Sequence, residues 1–361
     1  MIKANYMKNS TFKHQRDGQR KLFATILFFV LLLTVSSPAF PCTRVLWSNN
    51  GQAVVVGRNM DWFSSEAAVD LYALPRGIER DGLTGKNTLK WKAKYGTVMA
   101  EGADGINEKG LTGSMLWLAE SDYGTFDPKQ PSLSVGQWLQ FYLDNFATVE
   151  ELVEYTNDSP FQIVGGEFDG KKIGVHLALA DASGNSVIIE YLDGKAHIYE
   201  GNEYTVMTNS PTYAEQLENL KQYTGFGGDS PLPGTTEAAD RFVRAAYYLN
   251  NLPEPENNRE TIAGILSVMR NTSQPFGVPD PARPNISATR WRTVSDLTNL
   301  VYYFESATSP NLIWVKLNDL DFSEGSGVRK VDLKNDPDRI GDATVQMEPS
   351  EPYANQVVSE N

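Results

Sequence analysis

The feature that most limits this chain is an apolar run that the folded body cannot use. Residues 22–35, LFATILFFVLLLTV, form a 14-residue apolar stretch. The basic segment KHQRDGQRK precedes it, and the small residues SSPA follow. This is the layout of a secretory signal peptide: a charged region, a short hydrophobic region and a small-residue cleavage zone. A membrane span needs roughly 20 apolar residues, so the run is short for an anchor. Residues 1–41 are therefore expected to be removed on export to the periplasm or medium, with Met7 as an alternative start. An uncleaved anchor and a lipid-modified cysteine are the alternatives. Against the second, AFPC lacks the small residues expected just before a lipidated cysteine.

Removal of 41 residues from 361 leaves 320, enough for one large domain or two small ones. The leader takes six Lys/Arg and one Asp with it. The remaining 26 basic and 44 acidic side chains give a net charge of −18. So acidic a body is not expected to bind nucleic acid or, once the leader is gone, a membrane. The single cysteine, Cys42, cannot form an internal disulfide. With only His176 and His197 beside it, it cannot complete a usual zinc site. HExxH, GxSxG and Walker patterns are absent from the sequence, so neither metal nor cofactor is expected.

The pattern along the chain mixes strand and helix. TRVLW and AVVVGRNMDW read as a hairpin around the turn SNNGQ, with Cys42 opening its first strand. LYAL, LKWKAKYGTVMA and LTGSMLWLAE continue the strands. In LSVGQWLQFYLDNF, Val135, Trp138, Leu139, Tyr142 and Phe146 share one helical face. TVEE at 148–151 has capping-box spacing and predicts a second helix start. The segment 175–200 reads as two or three strands holding both histidines, for which a structural role is expected. Helical pattern returns at 235–252 and 259–271, then strands to 317, and GFGGDSPLPG reads as a structural loop. The acidic, turn-rich tail from about residue 334 is expected to be mobile. Strands and helices alternate through one continuous chain, which predicts a single α+β domain over 42–361.

A cysteine that becomes the first residue carries its own base. The freed α-amine has an ordinary pKa of roughly 7.7–8.0 and sits on the same residue as the thiol. Cys42 is thus a candidate N-terminal nucleophile. Position alone leaves open that it is an incidental small residue.

CTRVLW at 42–47, GRNMDW at 57–62, NEKGL at 107–111, MTNSPTY at 207–213 and RFVRAAYY at 241–248 occur in order. In these segments the chain resembles the choloylglycine hydrolase and penicillin V acylase family of N-terminal nucleophile hydrolases. The resemblance implies a four-layer αββα sandwich and hydrolysis of linear N-acyl amides. It implies Cys42 as nucleophile, Arg58 beside the thiol favouring the thiolate, and Asp61 binding the α-amine. It further implies Asn209 in the oxyanion hole, Arg241 as electrostatic support, Trp117 as a second oxyanion or substrate contact, and a homotetramer. Read alone, Arg58 and Asp61 are a surface ion pair, Arg241 a helix-surface charge and Asn209 an Asx turn.

Two departures matter. Pro41 is a poor last residue for signal peptidase, and a cut after Ala39 leaves Phe40 and Pro41 to be removed. LWLAE at 116–120 carries Trp117 where bile-salt enzymes resemble LNF, which with Trp62 suggests an aromatic-walled acyl pocket. That favours aromatic or aliphatic acyl groups, penicillin V and acyl-homoserine lactones among them. The alternatives are bile-salt hydrolysis and a non-catalytic exported binding protein of the same fold.

Overall fold

The computed structural model describes residues 42–62, 69–158, 161–168, 171–276, 287–309, 311–353 and 358–359; the expected leader lies outside them. Strands β1 (Cys42–Trp47) and β2 (Val55–Trp62) pair as the expected antiparallel hairpin. Asn50 ties its turn by accepting from the N–H groups of Gln52 and Ala53, both at 3.0 Å. Gly51 follows at φ 74°, a backbone region that a residue without Cβ enters freely.

Further strands are β3 (Leu71–Leu74), β4 (Thr97–Ala100), β5 (Asp104–Asn107) and β6 (Thr112–Trp117). After them come β7 (Val175–Ala180), β8 (Ser186–Leu192), β9 (Lys195–Glu200) and β10 (Val206–Met207). The C-terminal part adds β11 (Ala288–Asp296), β12 (Val301–Ser306), β13 (Leu312–Lys316), β14 (Arg329–Val331), β15 (Gly341–Asp342) and β16 (Glu348–Pro349). They form two large sheets. One runs β10-β1-β2-β11-β12-β13-β15, the other β9-β8-β7-β6-β5-β4-β3-β14-β16. The tail expected to be mobile thus adds a short strand to each sheet. Its Tyr353 ring lies 5.5 Å from that of Tyr72.

Among the described residues five α-helices cover the outer faces: α1 (Trp138–Asn145), α2 (Val149–Asp158), α3 (Tyr213–Leu220), α4 (Ala238–Asn250) and α5 (Asn258–Asn271). Trp138, Leu139, Tyr142 and Leu143 of α1 pack on Leu177, Leu179, Val187 and Ile189 of the second sheet. Phe242 and Ala245 of α4 and Ile265 and Met269 of α5 pack on Val45, Trp47 and Val55 of the first. Leu46, Val56, Trp291 and Phe304 meet Leu71, Val98 and Ile106 between the sheets. The layers are therefore helix, sheet, sheet, helix. With both faces covered, β1 is buried at every residue, which is why it lacks a polar alternation.

The expected helix at 133–146 begins later than its apolar pattern. Val135 and Gln137 lie in a 3₁₀ turn, and the α-helix starts at Trp138. Gly136 within that turn is a weak helix former. Thr148 caps α2 as expected, accepting from the Glu151 N–H at 3.2 Å. Helix α3 is additional to the elements expected from the sequence, although TYAE at 212–215 carries the same signature. Glu215 takes the Thr212 N–H at 3.1 Å and its hydroxyl at 2.6 Å.

Candidate active site

The β1–β2 register sets Cys42 opposite Met60 and Arg44 opposite Arg58. Side chains alternate along a strand, so Cys42, Arg44, Arg58 and Met60 face the second sheet. Arg44 donates to the Leu179 carbonyl at 3.5 Å and Arg58 to the Met115 carbonyl at 3.0 Å. Thr43 and Asn59 face the helices, where they meet Arg241 of α4 and the Met269 carbonyl of α5. The first strand thus carries the thiol on one face and holds a helix arginine on the other.

Five of the seven residues singled out from the sequence converge here, none more than 4% exposed: Cys42, Arg58, Asp61, Asn209 and Arg241. The Cys42 backbone N–H donates to Asn209 Oδ1. Arg241 Nη2 donates to the same oxygen at 2.9 Å. Its Nη1 reaches the Cys42 carbonyl and, at 2.6 Å, the Thr43 hydroxyl. Two donors on Oδ1 fix the amide's orientation, so Asn209 Nδ2 points away and donates to the Trp117 carbonyl at 2.8 Å. Gln216 of α3 holds the Asn209 carbonyl at 3.1 Å. Arg58, Asp61 and Arg241 are therefore buried in the site. None of the three is a surface charge.

Around the thiol, Arg58 Nη2 lies 4.0 Å from Sγ, and Met60 Sδ lies 3.9 Å from it. Arg58 Nη2 also sits 3.0 Å from Met60 Sδ, and its guanidinium stacks 4.5 Å from the centroid of Trp291. Burial pushes the Cys42 thiol up, and the opposing pull of Arg58 does not reverse this. The Arg58 charge acts to lower the thiol. Desolvation outweighs it, because a buried thiolate loses its water.

Asp61 accepts from the Thr289 hydroxyl through Oδ1. Its Oδ2 is buried without a hydrogen-bond partner among the described residues. Burial pushes its carboxyl up to about 6, against the pull of Arg241, Thr289 and Arg58. Burial also lowers the Arg241 guanidinium, with Asp61 and Cys42 opposing. A buried carboxylate oxygen without a donor among the described residues is an acceptor with room for one.

Residues 42–335 match the family described as linear amide C–N hydrolases, choloylglycine hydrolase family, and the match begins at Cys42. The chain belongs to that family. It is a linear amide C–N hydrolase. Among its relatives is a penicillin V acylase of Pectobacterium atrosepticum, 40% identical over 91% of this chain and 95% of that protein. A bile salt hydrolase/transferase of Clostridium perfringens is more distant, 23% identical over 78% of this chain and 95% of that one. The solved penicillin V acylase of Agrobacterium tumefaciens superposes with a TM-score of 0.79 at 45% identity, covering 86% of this chain and 98% of its own.

The two remaining candidates of this family member sit at strand ends, each partly exposed. Trp62 closes β2, and its carbonyl accepts from Arg290 Nε at 3.0 Å. Trp117 closes β6 and meets Asn209 through its backbone carbonyl. Several site residues escaped the sequence reading: Met60 against the thiol, Thr43 and Gln216 clamping Arg241 and Asn209, and Thr289 on Asp61. Met60 lay inside the quoted GRNMDW, but nothing in its residue type announces a role. His176, expected to be structural, bonds the Glu190 carboxylate at 2.9 Å and the Thr208 carbonyl at 2.7 Å. It thereby ties the second sheet to the segment that presents Asn209.

Proposed function

We propose that this hydrolase is an exported acylase in which Cys42, once it is the first residue, is the nucleophile. What carries the reading is the joint placement around Cys42 of its thiol, of Asp61 Oδ2, which has no hydrogen-bond partner among the described residues, and of the Asn209–Arg241 pair. The start of the family match at Cys42 supports it. In the uncut chain the Cys42 nitrogen has one N–H, which Asn209 takes. Cleavage gives it additional N–H groups, and Asp61 Oδ2 is the buried acceptor for one of them.

In the reaction the neutral α-amine removes the thiol proton as sulfur attacks the acyl carbonyl. Negative charge builds on that oxygen, and Asn209 Nδ2, which has a second N–H beyond the one given to Trp117, stabilises it. The α-ammonium returns its proton to the leaving amine nitrogen, and the C–N bond breaks to leave a thioester. The α-amine then takes a proton from water, whose oxygen attacks the thioester. The C–S bond breaks, the acid leaves and the proton returns to sulfur. Arg241 fixes the Asn209 amide throughout and sets Thr43 and the Cys42 carbonyl.

For the substrate, the two partly exposed tryptophans favour a flat aromatic or aliphatic acyl group over a steroid with polar hydroxyls. The reading is an acylase for penicillin V and related N-acyl amides, acyl-homoserine lactones included, working outside the cytoplasm as a homotetramer. The test is a panel of phenoxymethylpenicillin, acyl-homoserine lactones, glycocholate and taurocholate. Phenoxymethylpenicillin or a medium-to-long acyl lactone should give the highest kcat/KM. Trp117→Ala should lower that value at least about tenfold, since one buried aromatic contact stabilises by roughly 1.5–3 kcal/mol. A conjugated bile salt as best substrate would overturn the assignment.

A further inference from the structure

Strand β11 departs from regular pairing with β2 at one place. Thr289 lies opposite Asp61 and Trp291 opposite Met60, so Arg290 is an extra residue between them. A bulge of this kind re-aims neighbouring side chains. Here it turns the Thr289 hydroxyl onto Asp61 Oδ1, while Arg290 Nε holds the Trp62 carbonyl.

The hydroxyl has one proton and two acceptor lone pairs. The backbone N–H of Gln274 occupies one lone pair at 2.8 Å, and the Thr289 N–H returns a bond to the Gln274 carbonyl at 3.2 Å. With an N–H pointing in from that side, the hydroxyl proton is left to Asp61. The carboxylate is then clamped by one oxygen only. Its other oxygen, buried and without a partner among the described residues, is presented in a fixed direction. Thr289 is 1% exposed, so solvent does not compete for this bond.

We propose that Thr289 is a positioning residue for the hydrolase: its hydroxyl clamps one oxygen of Asp61 so that the other receives the freed α-amine of Cys42. This rests on the reading that Asp61 holds that amine. The charged and titratable groups facing Asp61 are Arg58 from β2, Cys42 from β1, Arg290 and Arg292 from β11 and Arg241 from α4. None of them supplies the directional bond that Thr289 makes to Oδ1.

The test compares Thr289→Val, Thr289→Ser and Asp61→Asn in the full-length gene product. Turnover is counted per chain that begins at Cys42 by intact mass. A hydrogen bond to a carboxylate favours its charged form. Thr289→Val should therefore move the acid limb of the kcat/KM profile up by about one pH unit. It should also lower plateau kcat about tenfold while leaving KM within about twofold, because the residue is not placed against substrate. Thr289→Ser should restore both. Should the valine chain fail to fold, Thr289→Cys, a far weaker donor, is measured on the same axes and should show the same acid-limb shift. A wild-type limb in the Val or Cys variant, with Asp61→Asn inactive, would overturn the clamp and leave the role of Asp61 standing. Near-normal turnover in Asp61→Asn would overturn both.

Discussion

Cys42→Ala should lose amide hydrolysis by on the order of 10⁶-fold, the scale on which hydrolases respond to loss of their nucleophile. The melting temperature should hardly move. Cys42 is small, its Sγ polar contacts among the described residues are long at 3.9–4.0 Å, and the backbone N–H and carbonyl that Asn209 and Arg241 grip remain. Cys42→Ser keeps the α-amine and nearly the same shape but offers a hydroxyl, a much weaker nucleophile at neutral pH. It should turn over far more slowly than the parent. Time courses on phenoxymethylpenicillin with active-site titration would separate the two variants. Amidase activity near the parent level in the alanine variant would sink the nucleophile assignment.

Asn209→Ala should lower kcat by roughly 10²–10³-fold, the usual consequence of losing one oxyanion donor. KM should change much less, because the bond strengthens only as charge builds on the carbonyl oxygen. The variant also leaves Arg241 Nη2 without its 2.9 Å acceptor. One buried donor left unsatisfied costs about 1–3 kcal/mol, so a lowered melting temperature should accompany the kinetic loss. Gln216 still holds the residue 209 carbonyl, which keeps the segment in place. Weakened substrate affinity at unchanged kcat would instead make Asn209 a ground-state contact.

Local pattern made much of the fold legible. The Cys42 hairpin, the apolar face from Trp138 to Phe146 and the Thr148 cap could be read because their determinants lie within a few residues. The layering could not, since strands buried on both faces lose the alternation that says which side is inside. The site is less local still. Asn209 meets Cys42 across 167 residues of sequence, and Arg241 meets it across 199. No spacing rule links them, and family resemblance alone drew them together. Thr289, 228 residues from Asp61, lies outside the segments that carry the family resemblance and reads as an ordinary strand residue. The thiol shows a different limit. Charge can be counted from a sequence, whereas the burial that outweighs Arg58 is a property of the assembled layers.

Everything in the mechanism requires a free α-amine on Cys42, so the first residue of the working enzyme is the decisive observation. Intact mass and N-terminal sequencing of exported protein, fractionated by activity on phenoxymethylpenicillin, should give Cys-Thr-Arg for every active fraction. Chains that still carry Phe40 and Pro41 should be inactive until those two residues are removed. A fully active enzyme that begins at Phe40 or earlier, with the Cys42 nitrogen still in a peptide bond, would contradict the account.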